Sequence, residues 1–171
     1  MSDEQPQTGM AGLRAQIAGL SELAGAGTRA GHRDLSDDIW LSTDPAGHAT
    51  LACKAREGGG FSLALTDGDS GGWAALGLRV PAGALEGARY LGLMVEATSP
   101  AGATFTPTLR LPGGGDTPAP APMIATPTAQ ARLAWFPLDP AHLEGPCEIN
   151  LFFHDDAAAL DILRLEPLVM F

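Results

Sequence analysis

The sequence predicts an all-β fold, a sandwich of two antiparallel sheets, preceded by a short N-terminal amphipathic helix. Three observations lead there. Short runs with apolar residues at alternate positions recur from Ile39 to Leu168, separated by turn signals about every 8 to 12 residues. The 171 residues include 22 Gly and 14 Pro, which punctuate the chain too often for long helices. The segment Leu85-Glu86-Gly87 followed by Leu91, Leu93 and Val95 is echoed by Leu143-Glu144-Gly145 followed by Ile149, Leu151 and Phe153. Each copy reads as a glycine turn feeding a buried strand.

The length is that of one ordinary domain, and the 45% apolar and 18% charged content is globular. Residues 1–8 are polar and contain Pro6, so they are expected to form a disordered leader. Residues 9–27 should hold a docking helix and the start of a linker. Met10, Leu13, Ile17, Leu20 and Ala24 are spaced by three and four residues, the seam of a helix that packs on a partner. Gly12 and Gly19 each cost about 1 kcal/mol against Ala there, so this helix should form only by docking. Its own domain and another chain are both open as the surface it docks on. Residues 28–34, Thr28 through Asp34, read as the remaining linker, and the sandwich should occupy residues 35–171.

Within the sandwich the expected strands are Ile39–Leu41, Ala49–Lys54, Phe61–Leu65, Trp73–Val80, Arg89–Thr98, Thr104–Leu111, Met123–Ala125, Ala131–Leu138, Glu148–His154 and Ala159–Leu168. Turns such as Asp44-Pro45-Ala46-Gly47 and Glu57-Gly58-Gly59-Gly60 separate them. Pro118, Pro120, Pro122 and Pro127 mark a stretch confined to a loop or a sheet edge. In the last strand Leu160, Ile162, Leu163, Leu165, Leu168 and Val169 supply the apolar set, while Asp161, Arg164 and Glu166 can point to water.

Ten Lys and Arg against twenty Asp and Glu give a net charge of -10, which repels phosphate backbones and anionic membranes. Neither nucleic acid nor a membrane is therefore an expected partner. The N-terminus has no basic region followed by an apolar one, and no apolar run reaches the ~18 residues of a membrane span. A cytoplasmic protein, or part of a particle released by lysis, is the expectation. Cys53 and Cys147 read as half-buried thiols in strands, with a bridge between adjacent strands as the alternative.

Trp73-Ala74-Ala75-Leu76-Gly77-Leu78-Arg79-Val80-Pro81 with Tyr90–Val95 looks like one paired-strand unit, and Arg132–Leu138 with Ile149–Phe153 like a second; Leu160–Leu165 would close the fold. In this order the chain resembles the jelly-roll sandwiches of the carbohydrate-binding-module and galactose-binding-like group, over roughly Leu35 to Phe171. Phage-like spikes and decoration proteins are built in a comparable anchor-and-head way. The resemblance implies a non-catalytic head that recognises glycans, and the helix implies attachment to other subunits in a homo- or hetero-oligomer. A stand-alone carbohydrate-binding module is the alternative, and a small glycan-active hydrolase comes third.

Sugar faces stack on large rings, so Trp73, placed after a glycine turn, and Tyr90 are the candidate ligand contacts; Trp135 lies in an apolar strand and reads as core. Asp67 and Asp69 in Asp67-Gly68-Asp69-Ser70-Gly71-Gly72 are further candidates. That string begins like a calcium loop, but Leu78 stands where an EF-hand needs Glu, so an acidic hairpin turn is the preferred reading and no cofactor is assigned, with a structural calcium, which some sandwiches of the resembled group hold near such a loop, as the alternative. His154-Asp155-Asp156 reads as the polar tip of the final hairpin. No catalytic or metal-ligating set is named, because no nucleophile elbow, P-loop or ligand spacing is present.

Overall fold

The computed structural model describes residues 7–66 and 72–171, and within them two antiparallel sheets face each other. The first sheet runs, in spatial order, β1 (Ala26–Arg29), β4 (Thr50–Ala55), β5 (Phe61–Thr66), β13 (Ala158–Met170), β7 (Tyr90–Thr98) and β11 (Gln130–Pro137). The second runs β10 (Met123–Ala125), β8 (Ala103–Arg110), β12 (Cys147–Phe153), β6 (Ala74–Val80), β3 (Ile39–Thr43) and β2 (His32–Ser36), with β9 (Asp116–Pro118) on the far end of β8. Each of the expected strands is present with its ends within two residues.

The core is made by one face of each strand. Ile39 and Leu41, Leu76 and Leu78, and Ile149 and Leu151 point inward from the second sheet, against Leu91 and Leu93, Leu63 and Leu160 from the first; all are essentially inaccessible. Burial of such a side chain is worth roughly 1.5–3 kcal/mol, which is why period-two patterning fixes the register. β13 departs from strict alternation because Ile162 and Leu163 are adjacent and both apolar. A bulge lies between Ile162 and Arg164, after which Leu165, Pro167 and Val169 face the core side and Leu168 faces outward, where the sequence had grouped it with the buried set.

Strands from β5 to β8 and from β10 to β13 switch sheets at each step, the winding of a jelly roll. This corrects the two paired-strand units. β6 and β7 lie in opposite sheets, as do β11 and β12; the pairing runs between units, β6 with β12 and β7 with β11. The two Leu-Glu-Gly turns meet as a result. Leu85, Glu86 and Gly87 line the same depression as Leu143, Glu144 and Gly145, at one end of the sandwich. The echo marks two equivalent entries into the core.

The helix α1 (Gln7–Gly19), continued by a 3-10 turn over Leu20–Glu22, closes on its own domain. Met10, Leu13, Ile17 and Leu20 are all buried in the single core, so the seam is spent within the chain. Arg14 donates to the Pro167 carbonyl of β13 at 2.9 Å through Nη2. The Gln16 carboxamide receives Ser36 Oγ at 2.7 Å and the Asp38 backbone N–H at 2.8 Å while donating to Asp38 Oδ2. The helix therefore ties the first sheet to the β2–β3 turn of the second. Residues 28–34 are the end of one edge strand and the start of another, not a linker. β1 pairs with β4, β2 pairs with β3, and the chain passes from one sheet to the other through Ala30, at φ 49°, and Gly31. Edge strands hold their place by backbone hydrogen bonds, so they need no apolar pattern, and their Gly, Arg and His content reads as loop.

Cys53 on β4 and Cys147 on β12 sit in opposite sheets as free, fully buried thiols. Burial pushes the Cys53 thiol up to about 12 and raises that of Cys147. No bridge between adjacent strands forms.

Candidate functional site

The outward face of the second sheet is laid out by register. One row runs across four strands as Asp116, Arg110, Glu148 and Arg79, alternating in charge. The next is Pro118, Thr108, Asn150, Gly77 and Trp40, and the third Thr106, Phe152, Ala75 and Ser42. Small side chains in the middle rows leave a groove of about 380 Å³ lined by Ser42, Trp73, Arg110, Asp116, Asn150 and Phe152.

Each wall is fixed by its neighbours. Arg110 forks onto Asp116, Nε to Oδ1 at 2.8 Å and Nη2 to Oδ2 at 3.2 Å, with Glu148 Oε2 at 3.9 Å from Nη1. That hydrogen bonding holds the Asp116 carboxyl below its ordinary range and raises Arg110. Opposite, Trp73 stands edge-on to Phe152 with ring centroids 6.3 Å apart and is 43% exposed. Between them Asn150, only 6% exposed as a residue, lines the groove, and no buried side-chain nitrogen or oxygen is left unsatisfied among the described residues. A carboxamide in the groove wall offers a donor and an acceptor to whatever enters.

Trp40 lies on the same face, in the row of Asn150 and Gly77. Gly77 lies directly beneath it, and a β-carbon at Gly77 would overlap the indole. The ring is sandwiched further by His32, stacked at 6.0 Å, and by the Arg79 guanidinium, 5.4 Å from its centroid; His32 Nε2 lies 2.7 Å from Asp34 Oδ1. A second such seat exists on the first sheet, where Trp135 lies over Gly92. Trp135 is therefore a half-buried residue of the outer face and not core, because Gly92 gives its ring a floor outside the sheet.

The predicted site residues do not converge. Trp73 belongs to the groove, whereas Tyr90, 40% exposed, is on the outward face of the first sheet, across the sandwich. Asp67 and Asp69 lie outside the described residues. His154 meets Thr106 Oγ1 at 2.6 Å and Asp155 accepts from the Thr104 N–H at 2.9 Å, so both serve the β12–β13 turn beside the Trp73 end. Among the described residues no three His, Cys, Asp or Glu side chains gather as a metal site. Arg110, Asn150, Phe152 and Trp40 were missed. Asn150 carried the best signal, an amide inside the apolar run from Ile149 to Phe153.

No protein-family model matches the chain, and no curated protein matches it in sequence. Solved structures do match. The chain is similar to the CBM22-1 xylan-binding domain of Xyn10C from Paenibacillus barcinonensis, with a TM-score of 0.52 at 12% identity over 85% of this chain and 96% of that one. It is similar to the family 11 carbohydrate-binding module of the cellulosomal cellulase Lic26A-Cel5E of Clostridium thermocellum, at 0.51 and 10% over 84% and 96%. The C-terminal family 22 carbohydrate-binding module of Clostridium thermocellum Xyn10B aligns at 0.51 and 11% over 84% and 91%. At these identities the likeness is one of fold, and the chain has the jelly-roll β-sandwich found in these carbohydrate-binding modules.

Proposed function

We propose that this chain is a non-catalytic glycan-binding module that holds a linear, neutral saccharide in the groove of the second sheet. The observation that carries the reading is the groove itself, in which the Asn150 carboxamide is flanked by a stacking ring and a locked guanidinium. Pyranose faces pack on Trp73 and Phe152, and ring hydroxyls take hydrogen bonds from Arg110 and Asn150. Neutrality follows from charge: Arg110 is already matched by Asp116 and Glu148, and the chain as a whole carries -10. The groove crosses the strands, so successive sugars would meet successive strands. Two of the similar structures are described by their binding, one as a xylan-binding domain and one by its cleft in ligand binding, and they support the same use of this fold.

Affinity electrophoresis and calorimetry against soluble xylan, mixed-linkage glucan and other neutral polysaccharides test the reading. Binding should weaken at least tenfold in Asn150→Ala and in Trp73→Ala, while Tyr90→Ala, on the opposite face, leaves it unchanged. A wild-type protein that binds none of the panel at millimolar saccharide, or an Asn150→Ala protein that binds as the wild type does, would refute it.

A further inference from the structure

Sheet edges expose unpaired backbone groups, and this fold blunts three of its four edges in recognisable ways. β1 is four residues long. β2 carries His32, Arg33 and Asp34 and is bent by a bulge between Asp34 and Ser36. The edge beyond β8 is broken into two three-residue strands, β9 ending in Pro118 and β10. The remaining edge, β11, is long and free of bulges, with one charge, Arg132, and a Pro only at its last position. Its eight residues pair with β7 without a break in register from Gln130 to Pro137, and Gln130 through Leu133 are exposed.

The sheet face beside this edge is apolar from Met170 to Leu133 and is bounded by Glu166, in register with Met94, and by Arg164 and Glu96. Register sets Met170 next to Tyr90, Leu168 and Trp135 on either side of Gly92, and Met94 next to Leu133, all pointing outward. Tyr90, Leu133 and Met170 are 40%, 49% and 46% exposed. Three neighbouring strands thus present one apolar surface that ends at an open, regular ladder.

We infer that β11 is a homodimer edge, pairing antiparallel with the β11 of a second copy about a two-fold axis at Leu133. Self-pairing is favoured over a foreign strand by what that register brings together. Leu133 meets its own copy, Ala131 meets Trp135, and Arg132, the sole charged residue of the strand, falls opposite Ala134. The same-face pairs are apolar, the kind that adds stability across an antiparallel ladder, and no like charges oppose each other. The two sheets join into one, and the two apolar surfaces become continuous across the axis. Charge also selects this edge: with -10 on each chain most faces repel, whereas this strand carries a single Arg and no acid. An interface of seven residue pairs is small, so association is reversible, with a dissociation constant on the order of micromolar. The groove on the second sheet faces away and stays open on both copies.

Light scattering and sedimentation of the full chain from about 1 to about 200 µM test this. The mass should rise with concentration from 17.6 kDa toward twice that value. Leu133→Lys and Leu133→Glu each put like charges at the axis and should weaken association at least tenfold, with circular dichroism unchanged because the side chain lies outside the core. An equimolar mixture of the two variants should regain the dimer, since Lys then faces Glu. A wild-type mass fixed at the monomer value across the range overturns the inference, as does dimerisation undiminished in both variants or a mixture that stays monomeric. Glycan binding, read in parallel, should be the same for wild type and Leu133→Lys, so failure of the dimer and failure of the groove are separate results.

Discussion

Replacing Gly77 by Ala should drive the Trp40 indole from its seat. The β-carbon of the new residue would overlap Cε2 and Nε1 of a ring that is 7% exposed and held from the other sides by His32 and Arg79. The overlap falls on the rigid part of an aromatic ring, so the ring must leave or the strands must part. A buried Trp covers about 150–250 Å², and exposing half of it at ~25 cal/mol per Å² costs about 2–3 kcal/mol. For a domain of this size that lowers the melting temperature by roughly 5–10 °C. Thermal unfolding followed by circular dichroism gives the loss, and tryptophan fluorescence should shift to the red. The decisive measurement is the double-mutant cycle. In a Trp40→Ala background there is no ring to displace, so Gly77→Ala should be close to neutral. An equal cost for Gly77→Ala with and without the indole would refute the account.

Gly92→Ala should behave in the same way toward Trp135, and Trp135→Ala should relieve it, again by differential unfolding. Leu13→Ala removes a fully buried side chain from the helix seam and should cost about 2–5 kcal/mol in urea unfolding, with folding to the same sandwich. Cys53 is held protonated in the fold. Its folded value is raised above the unfolded one, so its stabilisation is whole below pH ~8.5 and is lost as pH climbs toward about 12, at roughly 1 kcal/mol per pH unit. Urea midpoints from pH 8 to 11 should fall more steeply for the wild type than for Cys53→Ala. Both thiols should react with a thiol reagent only on unfolding.

What the sequence discloses and what it withholds divide along physical lines. Strands that bury one face, such as β7 with Leu91, Leu93 and Val95, write their period into the sequence, and they were legible to within a residue or two. β1, β2 and β9 bury little, and their pairing rests on the backbone, which leaves no mark on side-chain pattern. The site was legible only where a ring follows a turn, at Trp73. Trp40 and Trp135 lie in strands that read as apolar, yet each depends on a glycine from a distant strand, Gly77 or Gly92, to lie outside the core. Arg110 and Asn150 become neighbours through the β8–β12 register, a relation between segments some forty residues apart.

The position of β13 governs how this protein can be made. Residues 158–170 fill the slot between β5 and β7, pairing with Phe61–Leu65 on one side and Tyr90–Thr98 on the other. Until that segment has left the ribosome, the first sheet is two separate pieces with unsatisfied inner ladders and a half-covered core. Native closure must then join segments about a hundred residues apart, a topology that folds slowly and exposes sticky edges meanwhile. Translation should therefore run well ahead of folding, and synthesis halted before residue 158 should leave an aggregation-prone nascent chain that calls on holding chaperones.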